Sequence, residues 1–210
     1  MILLVHAAYL EGGAAALSLA EEALGVARQL DDEFAAGHAL MRMGAEVGWG
    51  EDFDRGAAIT RQAIDTLDRV DHPQAMPCLL NLVGMLVRVA DDKGDRLDEA
   101  EAAARQLMAR AESSSSLSQR ALAYQALGWV ELYRGDLDLS RKHTLTAMQL
   151  HADVRGDRWI AYGAHTLVEI ELAAGNVDLH DPIILRTEEL LETPANGKAA
   201  VYTPTTTGRA

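Results

Sequence analysis

The sequence predicts an all-α protein, an α-solenoid of about five antiparallel helix pairs with a flexible C-terminal tail. Three observations support this prediction. Apolar residues make up 49% of the chain but aromatic residues only 5%, and alanine and leucine, which favour helix over strand, supply most of the apolar mass. Small residues recur at a spacing of 40 or 44 positions. A glycine, followed after one or two residues by an apolar residue and aspartate, marks a turn in the repeats.

The repeat is visible in three sets of residues, each separated by 40, 44 and 40 positions. They are Ala16, Gly56, Ala100 and Ser140; Ala23, Ala63, Leu107 and Ala147; and Met41, Asn81, Gln125 and His165. Gly44, Gly84 and Gly128 form a fourth set, separated by 40 and 44. The four extra residues of the third repeat fall within 87–99, at its predicted turn, where an insertion is best tolerated.

Each repeat is predicted to be a first helix (A) and a second helix (B) joined by a tight turn at Gly50, Gly94, Gly135 or Gly175. We expect Gly135 to adopt a left-handed conformation, Asp136 to cap the next helix, and Asp138 to lie in its first turn. Asn176 is expected to cap in the same way. Between repeats, the predicted start signals are Asp32, Asp157, the Ser116-x-x-Gln119 box and Pro73 in a first helical turn.

These signals predict one repeat domain over residues 1–192 and a disordered tail over 193–210. The expected A helices are 2–10, 32–48, 73–90, 117–134 and 157–174, and the expected B helices are 14–30, 53–70, 97–111 and 137–154, with a last helix over 182–192. The first A helix is shorter than the others, so we expect the first repeat to be truncated at its N-terminus. An incomplete repeat leaves an apolar end uncovered, which could support self-association.

The chain resembles the tetratricopeptide repeat family at Tyr124, Leu127, Gly128, Gly135, Asp136, Leu137, Ser140 and Ala147. The resemblance covers about residues 1–180 and implies a superhelix of stacked helix pairs. The period of 40 is longer than that of the family, and Glu131, Leu107 and His180 depart from its pattern. The long period looks more specifically like the helical arms of LuxR-type transcriptional regulators and large bacterial signalling ATPases.

Charge and cysteine content narrow the possible environments and partners. The net charge is −13, which disfavours direct contact with nucleic acid or an anionic membrane surface. Cys78 is the only cysteine, so no internal disulfide can form, and a cytoplasmic location fits best. The abundance of arginine over lysine is a weak indication of a bacterial source.

Residues that could support catalysis or metal binding are few. Phosphate-loop, serine-hydrolase and zinc-protease motifs are absent from the sequence. Cys78 lies in an apolar run, which predicts a buried, inert thiol. His165 and Glu169 share a helix face, as do His143 and His151, but two ligands rarely make a metal site. We therefore expect no enzyme activity, no cofactor and no metal, although a helical enzyme with a dispersed site is a third, weaker possibility.

The resemblance implies that the A helices line a concave groove that binds a protein partner. Its inward positions carry over to His38, Met41, Trp49, Asn81, Met85, Arg88, Gln125, Trp129, Tyr133, Tyr162, His165 and Glu169. Apolar anchors mixed with polar tips suit a peptide or helix, though a small molecule stays possible, and the aromatic residues could instead pack between repeats. The alternative function is the sensor arm of an ATP-dependent LuxR-type regulator.

Overall fold

The computed structural model describes residues 13–50, 52–90, 94–154 and 157–176. All the regular structure in these ranges is helical. The eight helices are α1 Gly13–Gln29, α2 Glu33–Trp49, α3 Phe53–Arg69, α4 Ala75–Arg88, α5 Asp95–Glu112, α6 Leu117–Arg134, α7 Leu137–Asp153 and α8 Asp157–Ala173. This confirms the predicted all-α class. The predicted helices 2–10 and 182–192 and the predicted disordered tail lie outside the described residues.

The chain divides into two compact units, 1–113 and 114–210. In the first, each helix from α1 to α5 packs against the next, and α2 also contacts α4. In the second, α6 packs on α7 and α7 on α8, and α6 also contacts α8. Gly37 faces Leu67 and Gly48 faces Gly56, so α2 and α3 run antiparallel. Successive helix pairing of this kind is the local arrangement of a helical solenoid.

The repeat positions form the core of the helix pairs. Ala16, Gly56, Ala100 and Ser140 are buried, as are Ala23, Ala63, Leu107 and Ala147. Gly44 and Gly128 lie opposite Thr60 and Thr144, two buried threonines that are themselves 84 residues apart. The Ser140 hydroxyl donates to the Gly128 carbonyl over 2.7 Å, which ties α6 to α7. Small residues therefore permit the close A–B contact that the sequence predicted.

The turn at Gly135 confirms the predicted capping. Gly135 has φ +83°, and the Asp136 amide donates to the Glu131 carbonyl, which closes α6. The Asp136 carboxylate then accepts from the Leu139 amide over 3.1 Å, and Asp138 lies in the first turn of α7. Asn176 follows α8 and donates from its side chain to Glu171, whereas the helix it was expected to cap lies outside the described residues.

Two turns from a B helix to the next A helix contain a left-handed aspartate that the sequence analysis did not select. Asp31 and Asp71, 40 residues apart, both have φ +49°. The amide of the residue after each one donates to a carbonyl five positions earlier, Asp32 to Ala27 and His72 to Leu67. This is the same closure as at Gly135, with aspartate tolerated in the left-handed region. Asp32 caps α2 as predicted, because its carboxylate accepts from the Ala35 amide.

Two predicted helix starts differ by two residues, and one predicted capping box is only half formed. Gly94, at φ +78°, stands at the N-cap of α5, so that helix begins at Asp95, two residues earlier than predicted. Pro73 lies in a turn closed by the Met76 amide and the Pro73 carbonyl, which delays the start of α4 to Ala75. Ser116 caps α6 through the Gln119 amide, but its own amide donates to Ser114 Oγ, so no reciprocal bond from Gln119 is needed.

The helices of the described ranges are too short or too polar to cross a lipid bilayer. The apolar run around Cys78 forms the buried helix α4, as predicted from its length.

Candidate partner-binding surface

The twelve residues predicted to line the groove all lie on A helices. In the first unit, His38, Met41 and Trp49 are on α2, and Asn81, Met85 and Arg88 are on α4. In the second, Gln125, Trp129 and Tyr133 are on α6, and Tyr162, His165 and Glu169 are on α8. Nine of these side chains keep accessible surface, and Tyr133 is the most exposed at 43%. Met41, Met85 and Gln125 are buried.

The structure brings two of the predicted residues of the first unit together at the C-terminal ends of α2 and α4. The Arg88 guanidinium lies 4.8 Å from the centre of the Trp49 ring, a cation–π contact. Arg88 Nη1 donates to the Gly84 carbonyl over 2.7 Å, which holds the guanidinium in place. Phe53 meets the indole edge-on at 6.2 Å. Both Trp49 and Arg88 are only half-buried, so a partner can still contact them.

A second cluster in the first unit joins His38 to residues that the sequence analysis did not select. The Phe34 ring lies 4.6 Å from His38 and 4.5 Å from His72. His72 Nδ1 accepts from the Gln74 amide over 3.3 Å, which fixes that nitrogen as an acceptor. Phe34 is 40% exposed. The sequence analysis did not select Phe34 because it ends the acidic stretch Asp31–Phe34, which is typical of a solvent-exposed helix start.

In the second unit, the aromatic residues of the predicted groove are partly exposed but also pack against neighbouring helices. Trp129 Nε1 donates to Thr166 Oγ1 over 2.9 Å, and Thr166 in turn donates to the Tyr162 carbonyl. Trp159 lies 5.7 Å from Tyr162. Trp129 therefore links α6 to α8, which favours the packing interpretation for this residue. His165 and Glu169 face each other at 3.7 Å on α8.

The three buried members differ in chemistry. Met85 is completely buried and lies against Gly48, with Thr60 Oγ1 3.9 Å from its sulfur. Met41 is 8% exposed and also contributes mainly to packing. Gln125 is only 3% exposed, and neither atom of its amide has a hydrogen-bond partner among the described residues. An unsatisfied buried amide carries a desolvation cost that an apolar side chain would avoid.

Gln125→Met should raise the free energy of unfolding by about 1–2 kcal/mol, because it removes the unsatisfied amide while nearly keeping the side-chain volume. Methionine already occupies the corresponding position, Met41, in an earlier repeat. Chemical denaturation followed by circular dichroism measures the change. Gln125→Glu, which adds a buried charge at the same size, serves as the opposite control and should destabilise. A loss of stability in Gln125→Met would show that the amide has a bonding partner in solution.

The remaining candidates for chemistry are explained by packing. Cys78 is buried, as predicted, and burial raises the pKa of its thiol to about 12, which disfavours the reactive thiolate. Burial also lowers the pKa of His143, which contacts Tyr124, and that of His151. Among the described residues, His, Cys, Asp and Glu side chains form no group of three or more that could hold a metal ion.

Comparison with known proteins gives no family for this chain. No protein-family model matches the sequence, and no curated protein matches it.

Proposed function

We propose that the chain is a non-catalytic scaffold that binds a peptide or helix of a protein partner through the exposed sides of its A helices. The observation that carries this proposal is the Trp49–Arg88 pair, half-buried and stacked at the ends of two neighbouring A helices of the first unit. Tryptophan and arginine are the residue types most enriched at energetic centres of protein interfaces.

The other accessible residues supply the mixture that such a surface needs. In the first unit, Asn81 can donate and accept hydrogen bonds beside the apolar anchors, and the His38 ring is partly exposed. In the second unit, Tyr133 offers an exposed aromatic ring, and His165 and Glu169 offer polar tips. Apolar anchors give contact area, and polar groups fix the register of a bound peptide.

The resemblance to tetratricopeptide repeats gives the same functional class, since that family binds protein partners. Under this proposal the protein acts in the cytoplasm, with no cofactor. A sensor arm of an ATP-dependent LuxR-type regulator would bind its partners through the same kind of surface. That alternative function therefore also involves protein binding and does not exclude the scaffold function.

Trp49→Ala and Arg88→Ala should each reduce recovery of a specific partner at least about tenfold, as expected for interface centres. The tagged protein is used to capture partners from a lysate of the source organism, which are then identified by mass spectrometry. Leu145→Ala, an exposed apolar residue on α7, is the matched control and should leave recovery unchanged. Unchanged recovery in both test variants, with the fold retained, would refute the proposed surface.

A further inference from the structure

A cavity of about 390 Å³ opens between α1, α2 and α3 in the first unit. Its apolar lining is formed by Leu24, Ala27, Ala36 and Leu40, which come from α1 and α2. The space is large enough for several side chains of a bound molecule. Together these four buried residues form the apolar floor of the cavity.

The cavity is separate from the surface proposed above. On α2, the cavity residues Ala36 and Leu40 lie roughly 100–180° around the helix axis from His38, Met41 and Trp49, at about 100° per residue. The other two walls are B helices, α1 and α3. A molecule in this cavity would not contact the candidate residues of the A-helix surface.

The walls of the cavity are acidic on balance, with four carboxylates and two guanidinium groups among the lining residues. Two of the carboxylates are already occupied: Asp32 caps α2, and Glu33 accepts from Arg69 over 2.8 Å. Asp31, Asp65 and Arg28 form no ion pair or side-chain hydrogen bond in the described part of the chain, although the charge of Asp65 attracts the nearby Arg69. The lining therefore has an excess of carboxylates over guanidinium groups, and these charges lie beside the apolar residues of α1 and α2.

Exposed apolar residues flank this acidic opening. Leu30 is 64% exposed and Val70 is 42% exposed, and they follow α1 and α3 at the same position of two successive repeats. Leu30 precedes Asp31, and Val70 follows Arg69, so each lies next to a residue of the cavity wall. Such a surface is complementary to a segment that carries both basic and apolar side chains.

We propose that this cavity is a second docking site, which takes a lysine or arginine side chain from a basic, amphipathic segment of a partner protein. The long aliphatic stem of that side chain packs on the floor at Leu24, Ala36 and Leu40, as such stems do on apolar surfaces. The cationic head lies between Asp31 and Asp65. Leucine-type side chains of the same segment contact Leu30 and Val70. Charge complementarity selects the occupant, because the lining has four carboxylates against two guanidinium groups and would repel an acidic segment.

The test uses fluorescence anisotropy of a short labelled peptide of alternating leucine and arginine pairs, with a peptide of leucine and glutamate for comparison. Asp31→Asn with Asp65→Asn should raise the Kd for the arginine peptide about two- to thirtyfold. Asparagine suits the left-handed conformation at position 31, so this variant should fold. Glu22→Gln with Glu112→Gln is the matched control, since both are exposed acids of the same unit outside the cavity.

Filling the cavity provides a test that leaves the charge unchanged. Ala36→Leu should weaken binding of the arginine peptide to a similar degree, because the larger side chain occupies the space of the bound stem. The proposal fails if the matched control weakens binding as much as the aspartate variant, which would indicate general charge attraction. It also fails if Ala36→Leu has no effect, if the glutamate peptide binds more tightly, or if neither peptide binds.

Discussion

Gly56→Leu should destabilise the α2–α3 pair by about 3 kcal/mol or more, the upper end of the cost of overpacking a helix contact. A Cβ atom at Gly56 would lie 2.3 Å from the Gly48 Cα and 2.6 Å from the Gly48 nitrogen. Those neighbours are backbone atoms, so no side-chain rotation can relieve the clash. The two helices would have to separate, and apolar surface along both would be exposed.

The same substitution at two other glycines gives a matched series. At Gly128, the Cβ atom would lie 2.7 Å from Thr144 Oγ1, a side-chain hydroxyl that can rotate, so Gly128→Leu should cost only about 1–3 kcal/mol. At Gly25, which is exposed on α1, a Cβ atom would meet nothing within 4 Å. Gly25→Leu should therefore be neutral or stabilise by up to about 0.8 kcal/mol through helix propensity.

Thermal unfolding and amide hydrogen exchange measure the series. The expected order of destabilisation is Gly56→Leu, then Gly128→Leu, then Gly25→Leu, with the loss of exchange protection in Gly56→Leu centred on α2 and α3. Comparable stability of the Gly56 and Gly25 variants would contradict the close helix contact. Local exchange data are needed because a repeat protein need not unfold in a single step.

Stability of the second unit should fall by up to about 3 kcal/mol as the pH decreases from 6.5 to 4, because His151 must remain neutral in the folded protein. His151 is 2% exposed, and its ring stacks on Trp159 at a centroid distance of 5.7 Å. Burial lowers its pKa to about 4, against 6.5 as the reference value. The unfolded chain therefore binds the proton first, and acid favours unfolding through this window.

His151→Leu should flatten this part of the pH profile, and leucine already fills the corresponding position at Leu67. The pKa of His143 is lowered as well, by burial and by Lys142, so His143→Gln is the control that should retain the effect of His151. The pKa of Glu171 is lowered by hydrogen bonds from Asn176 and Arg141, and its contribution is lost only below about pH 4.5. Denaturation midpoints between pH 6.5 and 4.5 isolate the histidines, and an unchanged slope in His151→Leu would refute the assignment.

Local signals in the sequence predicted most helix bounds and the turn at Gly135. These features depend on residues within one or two helical turns, such as Asp136 and the Leu139 amide it caps. The repeat spacing also located the close helix contacts at Gly56 and Gly128. The left-handed aspartates Asp31 and Asp71 were missed because glycine is the usual signal for that conformation, although their spacing of 40 was visible.

The orientation of side chains on the A helices was harder to predict. Met85 and Gln125 occupy positions that the resemblance placed in a groove, but both are buried. Which face of a helix is covered depends on contacts such as Met85 with Gly48, between residues 37 positions apart. The cluster of Phe34, His38 and His72 likewise forms only when α2 meets the turn that follows α3. Periodicity within one helix does not contain that information.

Site-specific photo-cross-linking tests the central claim, binding of a protein partner by the A helices, most directly. A benzophenone amino acid is placed at Tyr133 on α6 or at Leu145 on α7, which are 43% and 47% exposed. The proposed function predicts a specific protein adduct from position 133, identified by mass spectrometry, and none from position 145. Adducts from position 145 alone, or equal adducts from both positions, would contradict it.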